Sequence, residues 1–464
     1  MPLQNFIKKL FPVFLPCLFY GYQNKTREDN MIVFISDLHF VDETAGKQNI
    51  PTSAFELFLA AIKTHSEKTK NKDKKLKIVF LGDIFDFLRT EEWFKEKEED
   101  RPWGNNTENM KKRAKIILDK IAVKNKDTFN LFSKENLENT FKDTYVETIY
   151  IPGNHDRLCW MIDELKEKAM GLLNLNANNT NNFKHSFFSI EHGVYATHGH
   201  IFDNFNYEGG PSYTDLDFGL VPIGDPITTE ILAKIPYKLI KNMKLTNTLS
   251  SEDIIRLKYS FQEIGNVRPF WATLKWLLFQ INENIALKDV IEDTIDEVMV
   301  EFNDLQFVKN WYKHHDKWYN PFDRADMIQA SIFFLEKFKI LSFEKLSGII
   351  EYMISKLSGN NDSDGAIKLL NTVSQKIQYV VMGHTHFPLQ KPLFFDQQDN
   401  GKIRECLYLN TGTWIKNYYA CKEGNGFIGW KNMNYVIAYT PEEKPNKYNL
   451  PVFETWRGVE KREE

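Results

Sequence analysis

Met31-Ile32-Val33-Phe34-Ile35-Ser36-Asp37-Leu38-His39 starts as a short β-branched and aromatic run and breaks off into an acid and an imidazole two residues apart. Four later stretches follow the same pattern. Ile78-Val79-Phe80-Leu81 meets Gly82-Asp83, and Thr148-Ile149-Tyr150-Ile151 meets Pro152-Gly153-Asn154-His155-Asp156. Val194-Tyr195-Ala196-Thr197 meets His198-Gly199-His200, and Tyr379-Val380-Val381-Met382 meets Gly383-His384-Thr385-His386. Apolar runs of this length read as strands covered on both faces. In layered α/β folds ligands collect beyond the carboxyl ends of the strands, so all five polar clusters are expected on one rim.

Between the strands the periodicity turns helical, as in Ala54 to Ala61 and Lys111 to Val123. Two long interruptions separate the clusters. A core is expected over 31–202 and 375–464, with an insertion at 89–147 and a mostly helical cap insertion at 203–374. Within the cap, amphipathic segments fall near 225–247, 251–264, 268–283, 288–302 and 323–357. Gly209-Gly210-Pro211 reads as a loop, and the basic run Lys68 to Lys77 as a solvated one. Asn434 to Tyr439 and Pro451 to Trp456 read as strands that complete a sheet.

The chain has 464 residues, 42% of them hydrophobic and 26% charged, with 59 basic against 63 acidic side chains. That apolar content excludes a mainly disordered chain. A net charge of −4 weighs against nucleic acid as a partner. Cys17, Cys159, Cys406 and Cys421 form no C-x-x-C pair and no disulfide framework. This fits a cytoplasmic protein. The alternative, export or membrane association, rests on residues 1–30, an N-terminal appendage with features of a weak signal or anchor. There Lys8-Lys9 precede an apolar run from Leu10 to Tyr20, broken by Pro12 and Pro16 and too short to span a bilayer.

The clusters supply the mixed nitrogen and oxygen donors that a pair of divalent cations requires. Asp37 and His39, at i and i+2 of an extended turn, would share a face and grip one ion. His384 and His386 have the same spacing, on one ion or divided between two. Gly82 lets the backbone turn so that Asp83 can bridge, and Asn154 offers a neutral carbonyl oxygen. Two cations about 3.5–4 Å apart can clamp an in-line displacement at phosphorus. Each cluster alone has a plainer reading: a surface turn for Asp37-x-His39, a helix cap for Gly82-Asp83-x-x-Asp86, a buried hydrogen-bonded imidazole for His198. Their occurrence together, each at a strand end, is what favours a metal site.

In that order, Asp37-x-His39, Gly82-Asp83-x-x-Asp86, Gly153-Asn154-His155-Asp156, His198 and Gly383-His384-x-His386, the set resembles the calcineurin-like metallophosphoesterases. The resemblance implies an α/β fold, a four-layer sandwich of two mixed sheets flanked by helices. It implies a dinuclear metal-dependent phosphoric ester hydrolase acting on an ester or anhydride by in-line attack of a metal-bridging hydroxide. One metal would be held by Asp37, His39, Asp83 and His386, the other by Asp83, Asn154, His198 and His384. His155 would assist the leaving group and Asp156 would orient His155. Asp86 would orient ligands or pack structurally, and His200 would face substrate or serve local structure. His192-Gly193 reads as a hairpin turn, and His314-His315 as cap packing with Trp311 and Trp318. The donors suit Mn, Fe or Zn. The expected partner is a phosphorylated small molecule gripped under the cap. The pattern also resembles the UDP-2,3-diacylglucosamine diphosphatases, which have Arg where this chain has His155 and are much shorter. A non-catalytic scaffold on the same fold is the remaining alternative.

Overall fold

The computed structural model describes residues 30–69, 75–175, 183–210, 216–246, 250–269, 272–316, 325, 328–329, 361–397, 403–423, 426–458 and 461–462. Outside them fall the N-terminal appendage up to residue 29, the middle of the basic run, Pro211, Trp318 and nearly all of the 323–357 segment.

In chain order the strands are β1 (Asn30–Ile35), β2 (Lys75–Leu81), β3 (Tyr145–Ile151), β4 (Phe187–Ser189), β5 (Val194–Ala196), β6 (Val267–Arg268), β7 (Tyr379–Met382), β8 (Leu389–Gln397), β9 (Ile403–Asn410), β10 (Asn417–Ala420), β11 (Phe427–Lys431), β12 (Asn434–Tyr439), β13 (Val452–Arg457) and β14 (Lys461–Arg462). They form a five-stranded sheet β13-β12-β1-β2-β3, a second five-stranded sheet β4-β5-β7-β9-β8, and a small sheet β14-β11-β10-β6.

β1 reads as a continuous apolar run because its faces meet different layers. Met31, Val33 and Ile35 pack under the helices Thr52–Lys68 and Glu108–Lys124, while Ile32 and Phe34 face the second sheet. Phe34 meets Phe187 of β4 edge-on at 5.8 Å. From the second sheet, Val194, Ala196, Val381 and Leu409 enter this shared core, and Val380, Met382 and Tyr408 point the other way onto helix Asn361–Thr372. The result is helix, sheet, sheet, helix, as the resemblance implied. β1, β2 and β3 run parallel, as do β5, β7 and β9, so the loops that follow β1, β2, β3, β5 and β7 share a rim.

The cap helices Lys234–Thr246, Ser251–Gln262, Thr273–Glu283, Lys288–Asp304 and Gln306–His315 bury an apolar cluster of their own, with Leu239, Phe261, Val298, Met299 and Phe302 at 0% exposure. Thr228–Ala233 is a π-helical turn. Pro236 has no N–H for the Leu232 carbonyl, and the widened turn accommodates its ring. That turn carries Glu230, fully buried and held by Arg101 Nη1 at 2.6 Å, Trp103 Nε1 at 3.1 Å and Lys234 Nζ at 2.9 Å. The 89–147 stretch is thereby tied to the cap. Among the described residues no helix is long and apolar enough to cross a membrane.

The small sheet was not anticipated. Two residues of the cap, β6, lie parallel to β10 from the C-terminal segment (Val267 against Tyr418, Arg268 against Tyr419). A two-residue strand has no periodicity to read, and only its tertiary partner defines it.

Candidate metal centre

The rim loops are laced by backbone hydrogen bonds: Asp37 N to Gly82 O (3.0 Å), His39 N to Asp83 O (2.9 Å) and Gly383 N to His198 O (3.0 Å). The extended turn expected for Asp37 and His39 is corrected. Asp37, His39, Asp83, His384 and His386 all lie in the left-handed region, at φ of 52°, 44°, 52°, 70° and 61°. Each such non-glycine residue costs about 1–3 kcal/mol and persists only where its surroundings enforce it. Here the lacing enforces it, and the sharp turns drive the side chains of separate loops into one space. The motif glycines permit the approach. A Cβ at Gly153 would strike the Asp83 carboxylate, and one at Gly383 would strike Asp37 and Ser36.

Asp37, His39, Asp83 and His386 each place one ligand atom within 4.8 Å of the others; Asp83, His198 and His384 do the same, and Asp83 is common to both groups. His39 Nε2 lies 2.9 Å from His386 Nε2, His386 Nε2 lies 3.2 Å from Asp37 Oδ1, and His198 Nε2 lies 3.3 Å from Asp83 Oδ2. Outer groups fix the rings. His39 Nδ1 donates to Asp86 Oδ2 (3.0 Å), His198 Nδ1 to the Leu81 carbonyl (2.9 Å) and His384 Nε2 to Asp203 Oδ2 (3.1 Å). Each contact aims the other ring nitrogen of that histidine at the cluster, the usual arrangement around a metal. Asn154 Nδ2 donates to Asn206 Oδ1 (3.1 Å), which leaves its carbonyl oxygen available.

The donor set fits divalent cations on a further observation: Asp37 Oδ1, Asn154 Oδ1 and His198 Nε2 are buried without a hydrogen bond among the described residues. Such atoms are costly unless something charged meets them. The electrostatics agree. Burial alone would raise Asp37 and Asp83, yet His386 and His39 hold the first, and His198 and His155 the second, far below the usual carboxylate range. Burial would lower His198, but Asp83 lifts it to about 10. The carboxylates stay ionised and draw positive charge toward them.

A family model described as calcineurin-like phosphoesterase matches residues 31–242. Residues 31–242 carry a calcineurin-like phosphoesterase domain. The comparison with curated proteins gave no match. The family implies hydrolase activity on phosphoesters and typically binds divalent metals, in keeping with the buried His/Asp cluster. The matched span contains Asp37, His39, Asp83, Asn154, His155 and His198; His384 and His386 lie beyond it and join the phosphoesterase rim through β7.

His155 stands at the edge of the phosphoesterase cluster, its ring 4.7 Å from that of His39. The expected Asp156 contact is corrected: Asp86 Oδ1, not Asp156, meets His155 Nδ1 at 3.0 Å. Asp156 points inward instead. It accepts from Ile84 N (2.8 Å), Tyr150 Oη (2.7 Å) and Gly153 N, fixing the loop backbone, and burial with repulsion from Asp83 pushes it up to about 6. Asp86 therefore orients two imidazoles, His39 and His155, and is itself gripped by Arg89 Nε at 2.6 Å. His200 is buried beside His198, rings 5.3 Å apart, with neither nitrogen hydrogen-bonded among the described residues. His192-Gly193 is the β4–β5 turn, and His315 stacks on Trp311 at 4.2 Å inside the cap.

Three residues at the site went unread. Asp203 and Asn206 orient His384 and Asn154 from an irregular segment after His198, with no motif spacing to mark them. Arg268 of β6 reaches His386 Nδ1 at 2.6 Å, and burial plus repulsion from Arg89 bring its pKa down to about 10.

Proposed function

We propose that this protein hydrolyses a phosphate ester of a small molecule at a two-cation centre, with Asp37, His39, Asp83 and His386 holding one ion, Asp83, Asn154, His198 and His384 the other, and manganese, iron or zinc as the metal. The observation that carries the reading is the pair of overlapping donor groups that share Asp83. When bound, the cations supply Lewis acidity toward the phosphoryl oxygens and an acidified water as nucleophile. His155 supplies the proton for the leaving oxygen. Its Nδ1 proton is committed to Asp86, so its Nε2 is the atom that donates, and Asp86 stabilises the charged ring. Of the alternatives, a non-catalytic scaffold is disfavoured by the complete donor set, and the diacylglucosamine diphosphatase reading gains nothing from a histidine at position 155.

The test is His155→Ala. Metal content by plasma mass spectrometry should stay at the wild-type value, while turnover of phosphomonoesters falls about 10²- to 10⁴-fold, least for esters with acidic leaving groups. If metal content falls in step with rate, His155 belongs to the cation cage instead.

A further inference from the structure

Arg268 reaches the rim from β6 of the cap. It sits opposite Tyr419 in the β6–β10 ladder, so the two share a face of the small sheet. Val267, on the other face, is fully buried in the cap core, and Tyr418, partly buried, packs against that core with its ring 4.7 Å from Trp276. The Arg268 guanidinium uses Nη1 on the Gly265 and Val267 carbonyls (both 2.9 Å) and Nη2 on His386. Among the described residues its Nε makes no hydrogen bond and no carboxylate lies within ion-pair reach. This half-buried guanidinium is fixed by two carbonyls beside a candidate cation ligand, a geometry that suits an anion in front of it.

The same face continues away from the rim as aromatic surface. Asn417 pairs with Trp430 and Tyr419 with Ile428, which puts Arg268, Tyr419 and Trp430 on one side. Tyr419 and Trp430 stack at 4.3 Å, and Phe387, the residue after His386, stands 6.3 Å from Tyr419 and is 54% exposed. Asn417 Nδ2 donates to the His386 carbonyl at 3.3 Å, which locks this face against the ligand loop.

Resting on the hydrolase reading above, we propose that the small sheet is the substrate subsite: Arg268 takes a non-bridging oxygen of the phosphoryl group, and the Tyr419–Trp430 stack takes a flat aromatic leaving group. The anion is called for by the guanidinium, and the flat group by an aromatic ledge continuous with it. The substrate class is then an aromatic phosphate ester, not an aliphatic one.

The experiment titrates orthophosphate calorimetrically into the metal-loaded full chain, wild type, Arg268→Gln and Arg268→Lys, with metal content and melting temperature measured on each. Arg268→Gln should weaken orthophosphate about 10- to 100-fold at unchanged metal content, with Arg268→Lys in between. Trp430→Ala should raise KM for p-nitrophenyl phosphate about 3- to 10-fold and leave orthophosphate affinity unchanged. Wild-type affinity in both Arg268 variants overturns the anchor. An unchanged KM in Trp430→Ala overturns the ledge, and lost self-association in that variant reassigns it to a second copy of the chain. A wild-type chain that holds metal yet hydrolyses no phosphoester sinks the hydrolase reading itself, a result separate from either.

Discussion

The rim and the cap place charge at one point by opposite means. The rim does it with backbone. The loops after β1, β2 and β7 turn through left-handed Asp37, His39, Asp83, His384 and His386, which throw carboxylates and imidazoles inward, and motif glycines clear the space. The cap does it with a side chain. A single arginine on a two-residue strand crosses from a separate helical core, positioned by sheet pairing with a distant part of the chain. Rim chemistry is therefore local and hard to vary, whereas what β6 of the cap presents depends on one side chain, whose single contact with the cluster among the described residues is His386.

Asp83→Ala tests the rim half most severely. It removes the one carboxylate shared by both donor groups, so bound metal should be lost and hydrolysis should fall about 10⁴-fold, read by metal analysis and a chromogenic phosphoester assay. Retention of both would end the idea that the rim is a cation centre. The join between the regions comes next. Arg157 follows the Gly153-Asn154-His155-Asp156 loop and donates through Nη2 to Asp225 of the cap at 2.6 Å and to the Pro102 carbonyl at 3.1 Å, and through Nη1 to the Phe218 carbonyl at 2.8 Å. Both charges are buried, at 4% and 2% side-chain exposure. Arg157→Ala strands Asp225 and should cost about 3–5 kcal/mol in urea denaturation. Lys258→Ala should have the smallest effect. Its 3.1 Å pair with Glu91 also joins the cap to the rest of the chain, but at 30% and 25% exposure it is screened, and the same measurement should show a change of less than about 1 kcal/mol. Equal costs for the two joins would mean that burial does not distinguish them.

The same contrast explains what could be read in advance. Strands β1, β2, β3, β5 and β7 announce themselves because each is apolar on both faces and stops at a polar cluster. The candidate ligands follow because those stops are motifs. The left-handed turns were missed because a D-x-H triplet has the same letters in an extended turn; only the neighbouring loop, through Gly82 O and Asp83 O, selects the other conformation. The Asp156 reading failed for a related reason: adjacency in sequence suggested a contact with His155, but the turn sends the two side chains apart and brings Asp86 in across the rim. Asp203, Asn206 and Arg268 were invisible because their work is done through tertiary contacts that leave no spacing behind.

The pairing of β6 with β10 also sets an order of events in biosynthesis. The chain leaves the ribosome from its N-terminus, and about 150 residues separate Arg268 from the Tyr418–Tyr419 segment that pins its strand. Every cap helix before β7 can emerge while that strand still lacks its partner. The strand that carries the arginine is thus pinned only after the last candidate ligand loop has been translated, and β11 and β12 must still follow before the small sheet and the first sheet are complete.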